Sequence, residues 1–239
     1  MVMMLRDRLA HYRYVLMMPV LLLLAVQLTA CGDKEPDQRK AFMQFLQTTI
    51  LPGGERLPTL SEDQKKKFGT YVSDYQVLLT FTQQYTQAVN ASLMPVLDQI
   101  NQIRVPQDYL SHRGDLQQAA GALNLLGPQI ERLQKQADDA RVALKQPDDL
   151  KALYAQVYTK LVTQPAQNVT PVVTSAATLS ETLVQVGNFL NMQGAQVTYG
   201  ANSIAFPTRL QATQYNELMA GLQTQQQQLV QAQAAAGVH

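Results

Sequence analysis

The chain has 239 residues, with 19 basic and 18 acidic side chains and a formal net charge of +1 at pH 7. A charge this close to zero excludes the general attraction to nucleic acid or to anionic lipid that a strongly basic protein has. The single cysteine excludes an internal disulfide framework.

The first predicted element is a secretion signal. Arg6, Arg8 and Arg13 make the N-terminus basic, and a 12-residue apolar stretch runs from Val15 to Val26. As a helix this stretch is about 18 Å long, against a hydrocarbon core of about 30 Å. It is too short to span a bilayer and has the length of the apolar part of a cleavable signal peptide.

The residues at the end of this signal decide its class. Leu28, Thr29, Ala30 and Cys31 resemble a bacterial lipobox, with a branched apolar residue, two small residues and the cysteine that accepts lipid. We predict that residues 1–30 are removed by cleavage between Ala30 and Cys31, and that Cys31 carries covalent diacylglycerol and an N-acyl chain. Several acyl chains, at about 0.8 kcal/mol per methylene, make attachment effectively permanent. The alternative is an uncleaved apolar helix with a stray buried cysteine.

The residue after the cysteine indicates the membrane. In enterobacterial sorting, Asp directly after the lipidated cysteine favours the inner membrane, whereas Gly32 holds that position here and Asp33 comes one later. We therefore predict an envelope protein that faces the periplasm, with the outer membrane favoured over the inner membrane.

Residues 31–40 are predicted to be a charged tether that runs into a helix at Pro36. Pro52-Gly53-Gly54 ends this helix, and Ser61 with Gln64 forms a capping box for a short second one. The apolar face of the first helix consists of Phe42, Phe45, Leu46, Thr49 and Ile50.

Heptad-like spacing then predicts two long helices. The first runs from about Tyr71 to Ile103 with a bend at Pro95, and the second from Leu116 to Leu144 with a kink or junction at Gly127-Pro128. Apolar periodicity continues in two shorter segments, and Gln164-Pro165 is read as the break between them.

The pattern changes at residues 196–206, where alternating apolar residues around Gly200-Ala201-Asn202 predict a small β-hairpin. Thr208 with Gln211 is predicted to cap a last helix. Residues 223–239 form a Gln/Ala-rich tail that we expect to fray or to be disordered.

The predicted fold is mainly α, an elongated antiparallel helical bundle over residues 41–222 with a small C-terminal β-hairpin. Heptad stripes are also typical of an intermolecular coiled coil, but several stripes separated by helix breakers favour the bundle.

Several segments are similar to a known family. They are Asp33-Lys34-Glu35, Asp37-Gln38-Arg39-Lys40-Ala41-Phe42, Gly54-Glu55-Arg56-Leu57-Pro58-Thr59-Leu60, Val72-Ser73-Asp74-Tyr75, Ile103-Arg104-Val105-Pro106-Gln107-Asp108-Tyr109 and Phe206-Pro207-Thr208. With the lipobox they resemble the YiaF-like enterobacterial lipoproteins, a family classed as a domain of unknown function. The resemblance implies the anchor and the envelope location, and it supplies no activity and no assigned site.

No sequence pattern points to catalysis or to a metal. There is no HExxH, Cys/His cluster, GxSxG, P-loop or GxGxxG. His112 and His239 are predicted surface residues. Asp138-Asp139 and Asp148-Asp149 suggest paired carboxylates for glycan cleavage, but neighbouring helical residues point about 100° apart. We expect the first pair to face solvent and the second to complement a helix N-terminus.

Two surface features remain open. Lys65-Lys66-Lys67 is either a solvated helix face or a contact for lipid headgroups. The loop at Glu55-Arg56 is a candidate partner surface, unless Leu57 and Leu60 beside it close the core of the bundle.

The sequence predicts a non-enzymatic lipoprotein without a metal or a diffusible cofactor, acting as an adaptor or scaffold for an envelope protein or a cell-wall polymer. A second hypothesis is a lipid or small-ligand binder, with a groove lined by residues such as Tyr75, Tyr85 and Leu126. A third is a peptidoglycan-active enzyme, which needs carboxylates or a nucleophile and a base in one cleft.

Overall fold

The computed structural model describes residues 34–54, 56–200 and 203–237. The predicted signal peptide, the lipobox and Cys31 lie outside the described residues, as do Glu55, the tip of the predicted hairpin at 201–202 and His239. The described part is mainly helical with a small β-hairpin, which confirms the predicted fold class.

The regular elements, in chain order, are α1 Glu35–Phe45, the π-helical turn π1 Leu46–Ile50, α2 Glu62–Phe68, a 3-10 turn Gly69–Tyr71, α3 Val72–Gln102, α4 Asp108–Ser111, α5 Arg113–Val142, α6 Asp148–Tyr158, the π-helical turn π2 Thr159–Thr163, α7 Gln164–Gln193, a 3-10 turn Gly194–Gln196, β1 Thr198–Tyr199, β2 Ile204–Ala205 and α8 Arg209–Ala236.

The bundle is built from α3, α5, α7 and α8, which have 28 to 31 residues each. At 1.5 Å per residue they are about 42 to 47 Å long. α3 packs against α5, α5 against α7, and α7 against α8. The apolar stripe of each helix faces these neighbours, so the stripes are accounted for within one chain.

The N-terminal helices are attached to the bundle by an aromatic cluster. Phe42 lies 5.5 Å from Phe68 and is stacked at 5.8 Å on Tyr71, while Phe45 meets Tyr75 edge-on at 5.5 Å. Such ring pairs add stabilisation beyond the area they bury. α1 is therefore fixed to the start of α3 and does not hang from it as a tether.

The predicted local signals are largely confirmed. Both capping boxes form, with Gln64 N–H donating to Ser61 and Gln211 N–H donating to Thr208. The hairpin pairs Thr198 with Ala205 in antiparallel register. α1 begins at Glu35, so the tether assigned to residues 31–40 extended too far into the helix.

The prediction that Gln164-Pro165 breaks the helix was wrong. α6 continues through π2 directly into α7. Pro52 and Pro165 each lie two residues after the end of a π-helical turn. Proline supplies no N–H and its ring clashes with a carbonyl four residues back, and the wider i to i+5 turn moves that carbonyl away. Pro128 is likewise accommodated within α5, with no helix junction.

The prediction of a frayed Gln/Ala-rich tail was also wrong. α8 extends to Ala236 and ends at Gly237, which has a φ of +68°. Leu222 and Leu229, seven residues apart, are both buried. Two widely spaced leucines are enough to seat the helix against α7, because the Gln and Ala residues between them have good helix propensity.

We predict that Leu229→Ala destabilises the protein by about 2 to 3 kcal/mol, because Leu229 is 4% exposed and its removal leaves a cavity. Urea unfolding followed by circular dichroism measures the change. The matched control is Val230→Ala, since Val230 is 59% exposed and its loss should change stability by less than about 0.5 kcal/mol. Equal effects of the two substitutions would contradict the packing of the tail.

Candidate functional site

An open cleft of about 360 Å³ lies on one side of the bundle. Its walls come from α3, π2, the start of α7, the loop at Gly54 and the end of α8. The polar side chains that line it are those of Tyr85, Thr86, Asn90, Lys160, Gln164 and Asn168. This cleft brings a lysine ammonium together with carboxamide and hydroxyl groups, and we take it as the candidate site.

Lys160 is the charged side chain of the cleft among the residues that the structure describes. Its ammonium donates to the carbonyl oxygens of Leu51, at 2.5 Å, and Gly53, at 2.8 Å. Both carbonyls lie just after π1, where the first helical run ends. The last carbonyls of a helix have no donor within the helix. Lys160 therefore caps that helix end and joins π2 to the N-terminal part of the chain.

Among the described residues, no acid neutralises the charge of Lys160. Within residues 34–54, 56–200 and 203–237, no carboxylate lies within 4.0 Å of its ammonium. Two of its three N–H groups bind carbonyls, which leaves one for another acceptor. The described lining thus combines one fixed positive charge with uncharged polar groups.

Three exposed carboxamides line the cleft together with this ammonium. Asn90, Gln164 and Asn168 make no side-chain hydrogen bond to any other described residue. Each carboxamide offers two donors and one acceptor oxygen. Val89 is half-buried and supplies some apolar surface, whereas Leu161 and Val169 are 3% and 1% exposed and supply almost none. The described lining is suited to a small ligand with hydroxyl or amide groups and one negative charge.

The residues predicted to line an apolar ligand groove are not brought together. Tyr75 and Leu126 are 1% and 0% exposed and belong to the core. The Tyr75 hydroxyl donates to the carbonyl of Pro58 at 2.6 Å, and burial raises the pKa of Tyr75 to about 12. Tyr85 does line the cleft, where its hydroxyl donates to the carbonyl of Pro165 at 3.2 Å.

The acidic pairs have structural partners. Asp138 accepts a hydrogen bond of 2.6 Å from Tyr158, so the expectation that both members of its pair face solvent was wrong for this residue. Asp139 is exposed and pairs with Lys135. Asp149 stands in the first turn of α6, as predicted, and contacts Arg39 at 3.3 Å.

The remaining predicted surface residues have ordinary surroundings. Lys65, Lys66 and Lys67 are exposed in the last turn of α2, where positive charge complements the helix dipole. Leu60 is buried and the partly buried Leu57 packs on the core, which favours the core-closing interpretation of that loop.

His112 lies at the junction of α4 and α5 and is partly buried. Its Nδ1 is 3.2 Å from the side-chain oxygen of Gln99.

A buried acid near the start of α3 was not singled out as a candidate. Asp74 is 5% exposed and accepts hydrogen bonds from Gln146, at 2.6 Å, and from Ser73. The Tyr154 hydroxyl donates to its backbone carbonyl at 2.8 Å. Burial raises the pKa of Asp74, and the two side-chain hydrogen bonds oppose this change. The cluster ties α3 to α6 and to the loop before it.

Two further features are absent from residues 34–54, 56–200 and 203–237. No group of three or more His, Cys, Asp or Glu side chains there is placed to hold a metal ion. None of the helices in that part of the chain combines the length and apolar character needed to cross a bilayer.

Comparison with known proteins gives a family. A family described as "Protein of unknown function (DUF3053)" matches residues 19–237. The chain belongs to this family. The "Uncharacterized protein YiaF" of Escherichia coli (strain K12) is 50% identical over 211 residues, which cover 88% of this chain and 89% of the relative. Proteins of that name from Escherichia coli O157:H7 and Shigella flexneri match equally well. No solved structure matches the chain.

These comparisons confirm the YiaF-like resemblance and place this DUF3053 protein among relatives of unknown function. They assign no role to the cleft. Lys160 could not be found from the sequence, because it is an isolated lysine and its two acceptors lie more than 100 residues away. The nearest signal is the pair of prolines at 52 and 165, which follow the two π-helical turns, and Lys160 lies in the second of these turns.

We predict that Asp74→Asn stabilises this DUF3053 protein more at pH 7 than at pH 3. The pKa of Asp74 is higher in the folded protein than in the unfolded chain, so its contribution to the free energy of unfolding is complete below the unfolded-state pKa. This contribution is lost as the pH rises through the folded-state pKa, because the unfolded chain releases its proton at a lower pH. Asparagine keeps an oxygen that accepts from Gln146 and does not ionise. Urea titrations of both proteins at several pH values measure the difference.

The control is Asp139→Asn, which removes an exposed carboxylate and reports the general effect of losing one negative charge. A difference between wild type and Asp74→Asn that stays constant from pH 3 to pH 7 would contradict the prediction.

Proposed function

We propose that this protein is a lipid-anchored component of the bacterial cell envelope, held through Cys31 and facing the periplasm, whose helical body acts as a non-enzymatic adaptor or scaffold. The observation that carries the proposal is the lipobox Leu28-Thr29-Ala30-Cys31 directly ahead of a folded helical body.

The short distance between anchor and body supports this role. Glu35, the first residue of α1, is four residues after Cys31. Whatever their conformation, four residues reach at most about 14 Å. The Tyr71 hydroxyl donates to Glu35, and the aromatic cluster fixes the rest of α1. A lipid on Cys31 would therefore hold the bundle itself close to the membrane.

The engagement of the polar side chains supports a non-enzymatic role. Asp138 and Asp149, one from each acidic pair, bind Tyr158 and Arg39. Neither pair lines the cleft, so the third hypothesis lacks the convergent carboxylates that glycan hydrolysis needs. The phenols of Tyr75 and Tyr158 donate to the Pro58 carbonyl and to the Asp138 carboxylate, and burial raises the pKa of both.

For the second hypothesis, a lipid or small-ligand binder, a different kind of ligand is favoured. An apolar interior groove is not supported by Tyr75 and Leu126, which are packed in the core. The cleft at Lys160 instead favours a small polar ligand.

We predict that Cys31→Ser yields a protein without acyl chains that keeps residues 1–30, because the hydroxyl cannot form the thioether that precedes cleavage. Mass spectrometry of the protein purified from membranes measures both changes. Gly32→Asp is the matched control, since it keeps the cysteine and the lipid and should move the protein from outer-membrane to inner-membrane fractions. Normal processing of Cys31→Ser, or an unmodified thiol in the wild-type protein, would overturn the anchor.

The adaptor role makes a separate prediction. Crosslinking in intact cells with Cys31 unchanged should capture a defined envelope protein or cell-wall fragment, identified by mass spectrometry. The same crosslinking of Cys31→Ser should lose most of that product, because the helical body without lipid is no longer anchored at the outer membrane. Failure to capture any partner from anchored protein would contradict the adaptor role and leave the anchor itself intact.

A further inference from the structure

We propose that the cleft around Lys160 is a binding site for a small hydroxyl-rich carboxylic acid, such as a sugar acid. The Lys160 ammonium would meet the carboxylate, and the carboxamides of Asn90, Gln164 and Asn168 would meet the hydroxyl or amide groups. This goes beyond the adaptor role, and it holds whether or not Cys31 carries lipid.

The first argument is the placement of the charge. Carbonyls of Leu51 and Gly53 hold two of the three N–H groups of Lys160, so the ammonium is fixed in position before any ligand arrives. A charge that is already positioned loses less conformational entropy on binding than a mobile surface lysine does. The described lining contains no acidic side chain that would compete for it.

The second argument is the chemistry of the remaining lining. Three carboxamides without a partner among the described residues can both donate to and accept from hydroxyl groups. The half-buried Val89 offers a small apolar surface of the kind that the C–H face of a sugar ring packs against. The volume of about 360 Å³ is at the lower end of the range for ligand pockets, so it fits one small ring and its substituents.

The described lining favours a carboxylate over a phosphate. Phosphate sites typically combine lysine or arginine side chains with several backbone N–H groups at glycine-rich turns and helix N-termini. The described lining has one lysine and no arginine, and α7 follows π2 without a free N-terminus. One positive charge matches the single charge of a carboxylate.

The test uses the full chain purified in detergent and isothermal titration calorimetry. The probes are N-acetylmuramic acid and its matched neutral sugar N-acetylglucosamine, which lacks the lactyl carboxylate, with D-glucuronic acid as a second acid and inorganic phosphate as a competing anion. We expect saturable binding of at least one acid, at least 10-fold weaker binding of the neutral sugar, and no tighter binding of phosphate.

Substitutions in the cleft test whether the acid binds there. Lys160→Gln should weaken binding of the acid at least 10-fold, and Lys151→Gln, an exposed lysine on α6, should leave it unchanged. Because Lys160→Gln also loses the helix cap, Asn168→Ala is the second variant. It leaves the Lys160 bonds in place and should weaken binding about 3-fold or more without changing the circular dichroism spectrum.

Four outcomes would overturn the proposal. They are no saturable binding of either acid, equal binding of the neutral sugar, tighter binding of phosphate, and unchanged binding by both Lys160→Gln and Asn168→Ala.

Discussion

The carbonyl groups at the end of the first helical run are the constraint around which one side of this bundle is arranged. Pro52 and Gly53 end that run and leave its last carbonyls without backbone donors. A buried or half-buried carbonyl without a partner costs free energy comparable to a lost hydrogen bond. Lys160 reaches two of them only because π2 carries it at the junction of α6 and α7. The same bonds fix the charge that gives the cleft its character.

Much of the fold follows from local signals in the sequence. Capping residues are strongly position-specific, and Ser61 and Thr208 mark the starts of α2 and α8 correctly. The alternation around residues 196–206 correctly predicts the hairpin. These signals succeed because each depends on contacts within a few residues, which tertiary packing reinforces.

The errors arise where tertiary contacts override a local rule. Proline is a reliable helix breaker only if the turn before it keeps α geometry, and π2 removes the clash at Pro165. Gln and Ala between sparse leucines look like a disordered tail in sequence, yet α7 supplies the surface that buries Leu229. The cleft could not be predicted at all, since its described lining comes from four separate parts of the chain.

The close approach of the end of α8 to the cleft has a practical consequence. Ala236 and Gly237 form part of its wall, so any sequence joined after Gly237 emerges at the mouth of the cleft. An affinity tag or fluorescent reporter fused there would crowd the opening and mask an added compound. The hairpin of β1 and β2, none of whose described residues lines the cleft, is the better position for a label.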